Sequence, residues 1–301
     1  MNRRILISIA LMGAALWPAV GIAKLRVAAS TNDLASIASS VGGSEVDVFS
    51  IARPTADVHR IEVLPSYMVK VSRAQIYLKV GLGLDQWADG IIDGSRNTKL
   101  KTVDCSEDIP VLEKPTKVDA SMGDVHPFGN PHYWLDPRNG GRVAHTIAEA
   151  FAKADPTHTA EYQRRADAFA AQAEEAWKHG KEGVEKIPSR AMITYHASWT
   201  YFADAFDFKI LGTAEPVPGI PPTAKHLADL VGIVKTRKPP VFLQEPYFSN
   251  DAGRFLSRQT GINVIVASPS CDAPTAGSYL DHFASILRSI ASAAAQNATA
   301  P

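Results

Sequence analysis

The stretch 157–186, THTAEYQRRADAFAAQAEEAWKHGKEGVEK, decides the fold. It is rich in alanine, contains no proline, and places Tyr162, Phe169 and Trp177 at spacings of seven and eight, which keeps them on one face of a helix. As a single helix of about 30 residues it would be on the order of 45 Å long, more than one small lobe needs. It reads as a rigid helix bridging two lobes; the alternative is a helical hairpin broken near Gly180 or Gly183. The aromatic stripe reads as core packing.

Working outward, strand and helix patterns alternate at short intervals on both sides. Residues 25–29, 46–51, 76–80 and 99–104 read as strands, and 33–41, 66–73 and 85–92 as helices. After a Pro- and Gly-bearing loop at 110–130 the pattern turns helical from Pro137. Beyond Pro188 the plan repeats, with strands at 191–194, 208–211, 241–243 and 262–266 and helices at 199–205, 223–235, 251–259 and 279–293. The fold class is therefore α/β, two doubly wound lobes joined by a long rigid helix. The lobes are expected at 24–155 and 188–301, with the bridge at 156–187. In such sheets ligands collect where strand carboxyl ends meet the cleft, so a site between the lobes is expected.

The length of 301 residues, with 46% hydrophobic and 21% charged, excludes a small stapled scaffold and a disordered chain. Lys+Arg 31 against Asp+Glu 31 leaves no basic surplus, which excludes nucleic acid as the expected partner. At the N-terminus, Asn2-Arg3-Arg4, an apolar run from Ile5 to Trp17 and the small residues Gly21 and Ala23 read as a signal peptide over 1–23. The run is shorter than the roughly 20 residues a span requires. The mature chain would begin at Lys24, and no Cys follows the cleavage site, so an exported periplasmic protein without a lipid anchor is expected. Cys105 and Cys271 fit a cross-lobe disulfide, two free thiols or one metal thiolate; the disulfide is the preferred reading, and its geometry is not readable from spacing.

Three of the nine histidines fall in loops or just past strands of the two halves: His59, His132 and His196. Singly, each reads as a surface or hydrogen-bonded residue. Together, three neutral imidazoles and one carboxylate fill a tetrahedral zinc site with bonds of about 2.0–2.2 Å. His145, His158, His179, His226 and His282 lie on predicted helices and read as surface residues.

Asp57-Val58-His59-Arg60-Ile61-Glu62-Val63-Leu64-Pro65-Ser66 resembles the D-P-H-x-x-x-x-x-P-S segment of the zinc- and manganese-binding solute-binding proteins of ABC importers. The resemblance continues, in order, through 81–87 (GLGLDQW), 130–137 (NPHYWLDP), 195–202 (YHASWTYF), 215–218 (EPVP) and 242–246 (FLQEP). It implies two lobes joined by one long helix, a metal buried between them, and delivery to a membrane permease. His59 and His132 would be ligands from the first lobe and His196 from the second.

The departure is at the fourth ligand. The family usually places an Asp after the last strand, whereas this chain reads Val266-Ala267-Ser268-Pro269-Ser270-Cys271-Asp272. Asp272 is the nearest carboxylate and the expected fourth ligand; Glu245, Cys271 and water are the alternatives. Zinc-specialised relatives carry a His- and Asp-rich loop near 110–130, where this chain has only His126 and scattered acids, a weak accessory site.

A nitrogen-rich site suits Zn2+ better than Mn2+. The expected function is capture of a divalent transition metal in the periplasm and delivery to an inner-membrane ABC permease, with a metallochaperone as a further candidate partner. A manganese or iron receptor of the same type is the near alternative. A zinc hydrolase is the distant one, since no H-E-x-x-H motif is present.

Overall fold

The structure, a computed structural model, describes residues 23–117 and 126–298. The signal-peptide reading of 1–23 lies almost wholly outside the described residues.

The first half builds β1 (Leu25–Ala29), α1 (Asn32–Gly42), β2 (Val46–Ser50), α2 (Pro65–Val71), β3 (Ile76–Lys79), α3 (Trp87–Ser95) and β4 (Lys101–Asp104). The four strands form one parallel sheet in the order β2-β1-β3-β4, with Val27 opposite Val48 and Ile76. Leu25, Val27, Ala28 and Ala29 are all buried, the near-continuous apolar run that a strand covered on both faces requires. Thr31 caps α1, its hydroxyl accepting from the Leu34 amide.

α4 (Pro137–Ala154) follows the long loop, starting with Asp136 as cap and Pro137 in the first turn, where a missing N–H does no harm. α5 (Thr159–Val184) is one unbroken helix of 26 residues, about 39 Å long. It buries Tyr162, Ala166, Phe169, Ala173, Gly180 and Val184, a single stripe. The helix does not break at Gly180, because that glycine answers to packing: a Cβ there would lie 2.3 Å from a Phe206 ring atom.

The second half repeats the plan with β5 (Ala191–Thr194), α6 (Thr200–Ala205), β6 (Lys209–Thr213), α7 (Ala224–Arg237), β7 (Val241–Gln244), α8 (Asp251–Thr260), β8 (Asn263–Val266) and α9 (Ser278–Ala298). Its sheet is parallel, in the equivalent order β6-β5-β7-β8. α5 touches α1 and α4 of the first half and α9 of the second, so it is shared by both cores. No helix among the described residues is long and apolar enough to cross a membrane.

A second tie joins the halves. The loop after β8 lies on α1: the Asn32 amide donates to the Cys271 carbonyl (3.1 Å), the Cys271 amide donates to Asp33 (3.0 Å), and the Ser36 and Ser39 hydroxyls donate to the carbonyls of Thr275 (2.6 Å) and Pro274 (2.8 Å). From the same loop, the Ser268 hydroxyl donates to the Pro54 carbonyl (2.5 Å), while the Trp134 indole donates to the Pro269 carbonyl (2.8 Å). The expected Cys105–Cys271 disulfide is corrected here: both residues are free, buried thiols. The cross-lobe strap at Cys271 is made of hydrogen bonds to α1, not of sulfur.

Candidate metal centre

Each histidine reaches the cleft by its own local route. His59 lies in the loop after β2. The Asp57 carboxylate accepts both its backbone amide (3.0 Å) and its ring Nδ1 (2.9 Å), leaving Nε2 as the outward nitrogen. The Trp87 indole at the start of α3 donates to the Val58 carbonyl (2.9 Å) and pins the same loop. His132 stands before α4, its amide bonded to the Asn130 side chain (3.0 Å). Asn130 in turn donates to the Ala197 carbonyl of the other half (2.9 Å). His196 lies two residues past β5, the central strand where chain order in the second sheet reverses direction.

The partner of His196 follows from register. Thr194 of β5 pairs with Thr213 of β6, and continuing two residues along both strands sets His196 beside Glu215. The Glu215 carboxylate lies 2.6 Å from Nδ1 of His196, and both side chains are buried. A carboxylate on the far nitrogen fixes the ring's orientation and raises its basicity, the usual arrangement behind a metal-binding imidazole.

Among the described residues, His59, His132 and His196 form a group whose ligand atoms all lie within 4.8 Å of one another, and no carboxylate or thiol belongs to it. Their ring centroids are 5.0, 5.2 and 5.7 Å apart. His132 is 1% exposed, and neither of its ring nitrogens has a hydrogen-bond partner. A buried imidazole with two idle nitrogens is uncommon, because desolvated polar groups ordinarily find a partner.

The electrostatics suit a cation. Burial drives His132 well below its ordinary pKa, and the neighbouring His59, His196 and His126 add to this, so it stands neutral with a lone pair to give. Burial also pulls His196 down, but the Glu215 hydrogen bond and the charges of Glu245, Glu215 and Asp57 outweigh it, and the net shift is upward. Glu245, fully buried at the end of β7, is pushed up to about 7 by burial, opposed mainly by His196. Its Oε1 accepts the Trp199 indole (3.0 Å) and its Oε2 has no partner. Three carboxylates therefore stand around three imidazoles.

The structure brings His59, His132 and His196 together and does not bring Asp272 to them. The backbone at Cys271 is tied to Asn32 and Asp33, and the Asp272 side chain is exposed. Cys271 is no thiolate ligand either: burial, with Asp33 beside it, pushes its thiol far up. Sequence reading gave Glu215 and Asp57 no role, although both lie in the quoted motifs; the signal for Glu215 was its place just past the strand paired with β5. His126, the accessory-site residue, stands beside this group, its Nε2 3.2 Å from Nε2 of His59.

Residues 27–293 match the family described as ZnuA, zinc-uptake complex component A, periplasmic. A protein of Treponema pallidum (strain Nichols) named for metal binding is 28% identical over 249 residues, covering 80% of this chain and 78% of that one. The iron-binding protein YfeA of Yersinia pestis is 26% identical over 244 residues, covering 79% and 75%. The crystal structure of a ZnuA superposes with a TM-score of 0.79 at 25% identity, covering 90% of this chain and 99% of that one. The chain belongs to this family, the metal-binding solute-binding proteins of ABC importers.

Proposed function

We propose that the chain captures a divalent transition metal, zinc in preference to manganese or iron, on His59, His132 and His196, and hands it to an inner-membrane ABC permease. The observation that carries this reading is the convergence of three histidine nitrogens from both halves, one of them on a fully buried ring without a partner. An ion held there ties the two halves together, so capture and any release at a permease act on the same cleft. Zinc is preferred because the convergent donors are imidazoles, which suit borderline-soft cations, whereas manganese favours carboxylate oxygen. The relative named for iron keeps an iron or manganese cargo as the second reading. The role proposed is that of a receptor rather than an enzyme, and the N-terminal segment proposes export to the periplasm.

Competition titration of untagged protein against a chromophoric chelator tests the assignment. Stoichiometric zinc binding is expected, weakened by orders of magnitude in each of His59→Ala, His132→Ala and His196→Ala. Native affinity in all three variants would place the metal elsewhere.

A further inference from the structure

We propose that Ser268 is a positioning residue for the metal centre: with its neighbour Pro269 it holds the segments that carry His59 and His132 against the second half, and so governs how fast the ion leaves. The inference rests on the triad holding the ion.

Two consecutive residues of the loop after β8 grip one segment each. The Ser268 hydroxyl donates to the Pro54 carbonyl (2.5 Å), in the loop that runs from β2 to His59. The Pro269 carbonyl accepts the indole N–H of Trp134 (2.8 Å), whose ring packs against His132 with centroids 5.1 Å apart. His132 depends on such support, because neither of its ring nitrogens has a hydrogen bond to orient it.

The grip is rooted in the second sheet. The Ala267 amide donates to the Gln244 carbonyl (2.9 Å), one step beyond the β7–β8 ladder, and the Tyr195 amide donates to the Leu243 carbonyl (2.9 Å). The end of β7 is therefore bonded both to the strap and to the strand that leads into His196. A path of backbone bonds runs from His196 through β7 to Ser268 and Pro269, and from there to Pro54 and Trp134, linking the first-half imidazoles to the second-half one.

The Ser268 side chain is itself held for this task. Its oxygen accepts the Ser270 amide (3.0 Å), and its carbonyl accepts Nε2 of His282 on α9 (3.1 Å). Pro54 has no N–H, so it can join the second half only as an acceptor. Around it, the Ala56 amide donates to the Arg53 carbonyl and the Arg60 amide to the Asp57 carbonyl, both at 3.0 Å. These turns keep the segment's shape and Trp87 joins it to its own half; Ser268 joins it to the other. Because this bond holds ligands in place rather than attracting the ion, its loss acts mainly on dissociation, as most affinity differences between related complexes do.

The test follows zinc release into excess chromophoric chelator from native protein, Ser268→Ala, Ser268→Thr and Ser39→Ala. Ser39 donates to the Pro274 carbonyl of the same loop (2.8 Å), on the α1 side, and serves as the control for a bond that only ties the strap down. Ser268→Ala should release zinc about tenfold faster or more, the cost of losing a group that orients a ligand. Its association rate should stay within about twofold. Ser268→Thr keeps the hydroxyl and should restore native release, and Ser39→Ala should release at the native rate. In metal-free protein, amide hydrogen exchange over residues 53–60 should quicken in Ser268→Ala and not in Ser39→Ala, a readout independent of the ion. Native release and native exchange in Ser268→Ala, or release from Ser39→Ala as fast as from Ser268→Ala, would overturn the positioning role and leave the triad standing. Native zinc affinity in His132→Ala would overturn the functional reading and this inference with it.

Discussion

At the scale of single residues, what distinguishes this site is the division of labour between the two nitrogens of each ring. Asp57 and Glu215 take Nδ1 of His59 and His196, while His132 has no such partner and is held by its backbone and by packing against Trp134 at 5.1 Å. Replacing Glu215 by Gln should therefore weaken zinc binding by about ten- to a hundredfold with the ligands intact, measured by the same chelator competition. The protonation behaviour of His132 gives a second expectation. Its folded pKa lies well below the unfolded value of about 6.5, so beneath that pH the unfolded chain binds a proton the native state refuses. The contribution of His132 to the stability of the metal-free protein therefore falls as pH drops below about 6.5. His196 has the opposite sign: its raised pKa adds stability below about 6.5 that is lost as pH rises through its folded value. Thermal denaturation of metal-free protein at about pH 7 and about pH 5 should show His132→Gln losing less stability than the native chain; equal losses would contradict the buried neutral state.

At the scale of elements, strands and helices were legible because their periods are local, and their bounds moved by only a few residues between reading and structure. β1 needed only the run Leu25-Arg26-Val27-Ala28-Ala29, and α5 only its alanines and its stripe. The contacts that place the loop after β8 were not legible. Asn32 and Cys271 are 239 positions apart, and a hydrogen bond over that separation leaves no mark on either neighbourhood. The same long-range tie explains why Asp272, a sound choice by distance along the chain, faces water. Gly180 shows the reverse case, a residue at which the sequence allowed a break and which the fold uses for close approach. Gly180→Leu should destabilise the protein by about 1–3 kcal/mol in denaturant titration, because the added side chain must displace Phe206 and Leu287. Zinc affinity should be nearly unchanged, since the substitution lies away from the three histidines.

At the scale of the whole molecule, two ties limit how far the halves can part. α5 packs on helices of both, and the loop after β8 is bonded along α1 by Asn32, Asp33, Ser36 and Ser39. Hinge opening would break both, so small adjustments of the His59 and His126 loops should accompany metal binding, and solution scattering of metal-free and zinc-loaded protein should give nearly the same radius of gyration. A marked contraction on loading would show that the ties yield. The central claim, one ion shared by histidines of both halves, is tested most directly by anomalous diffraction at the zinc edge from zinc-loaded crystals. The account predicts a single strong peak about 2.0–2.1 Å from nitrogens of His59, His132 and His196; a principal peak on Asp272 or away from these three rings would contradict it.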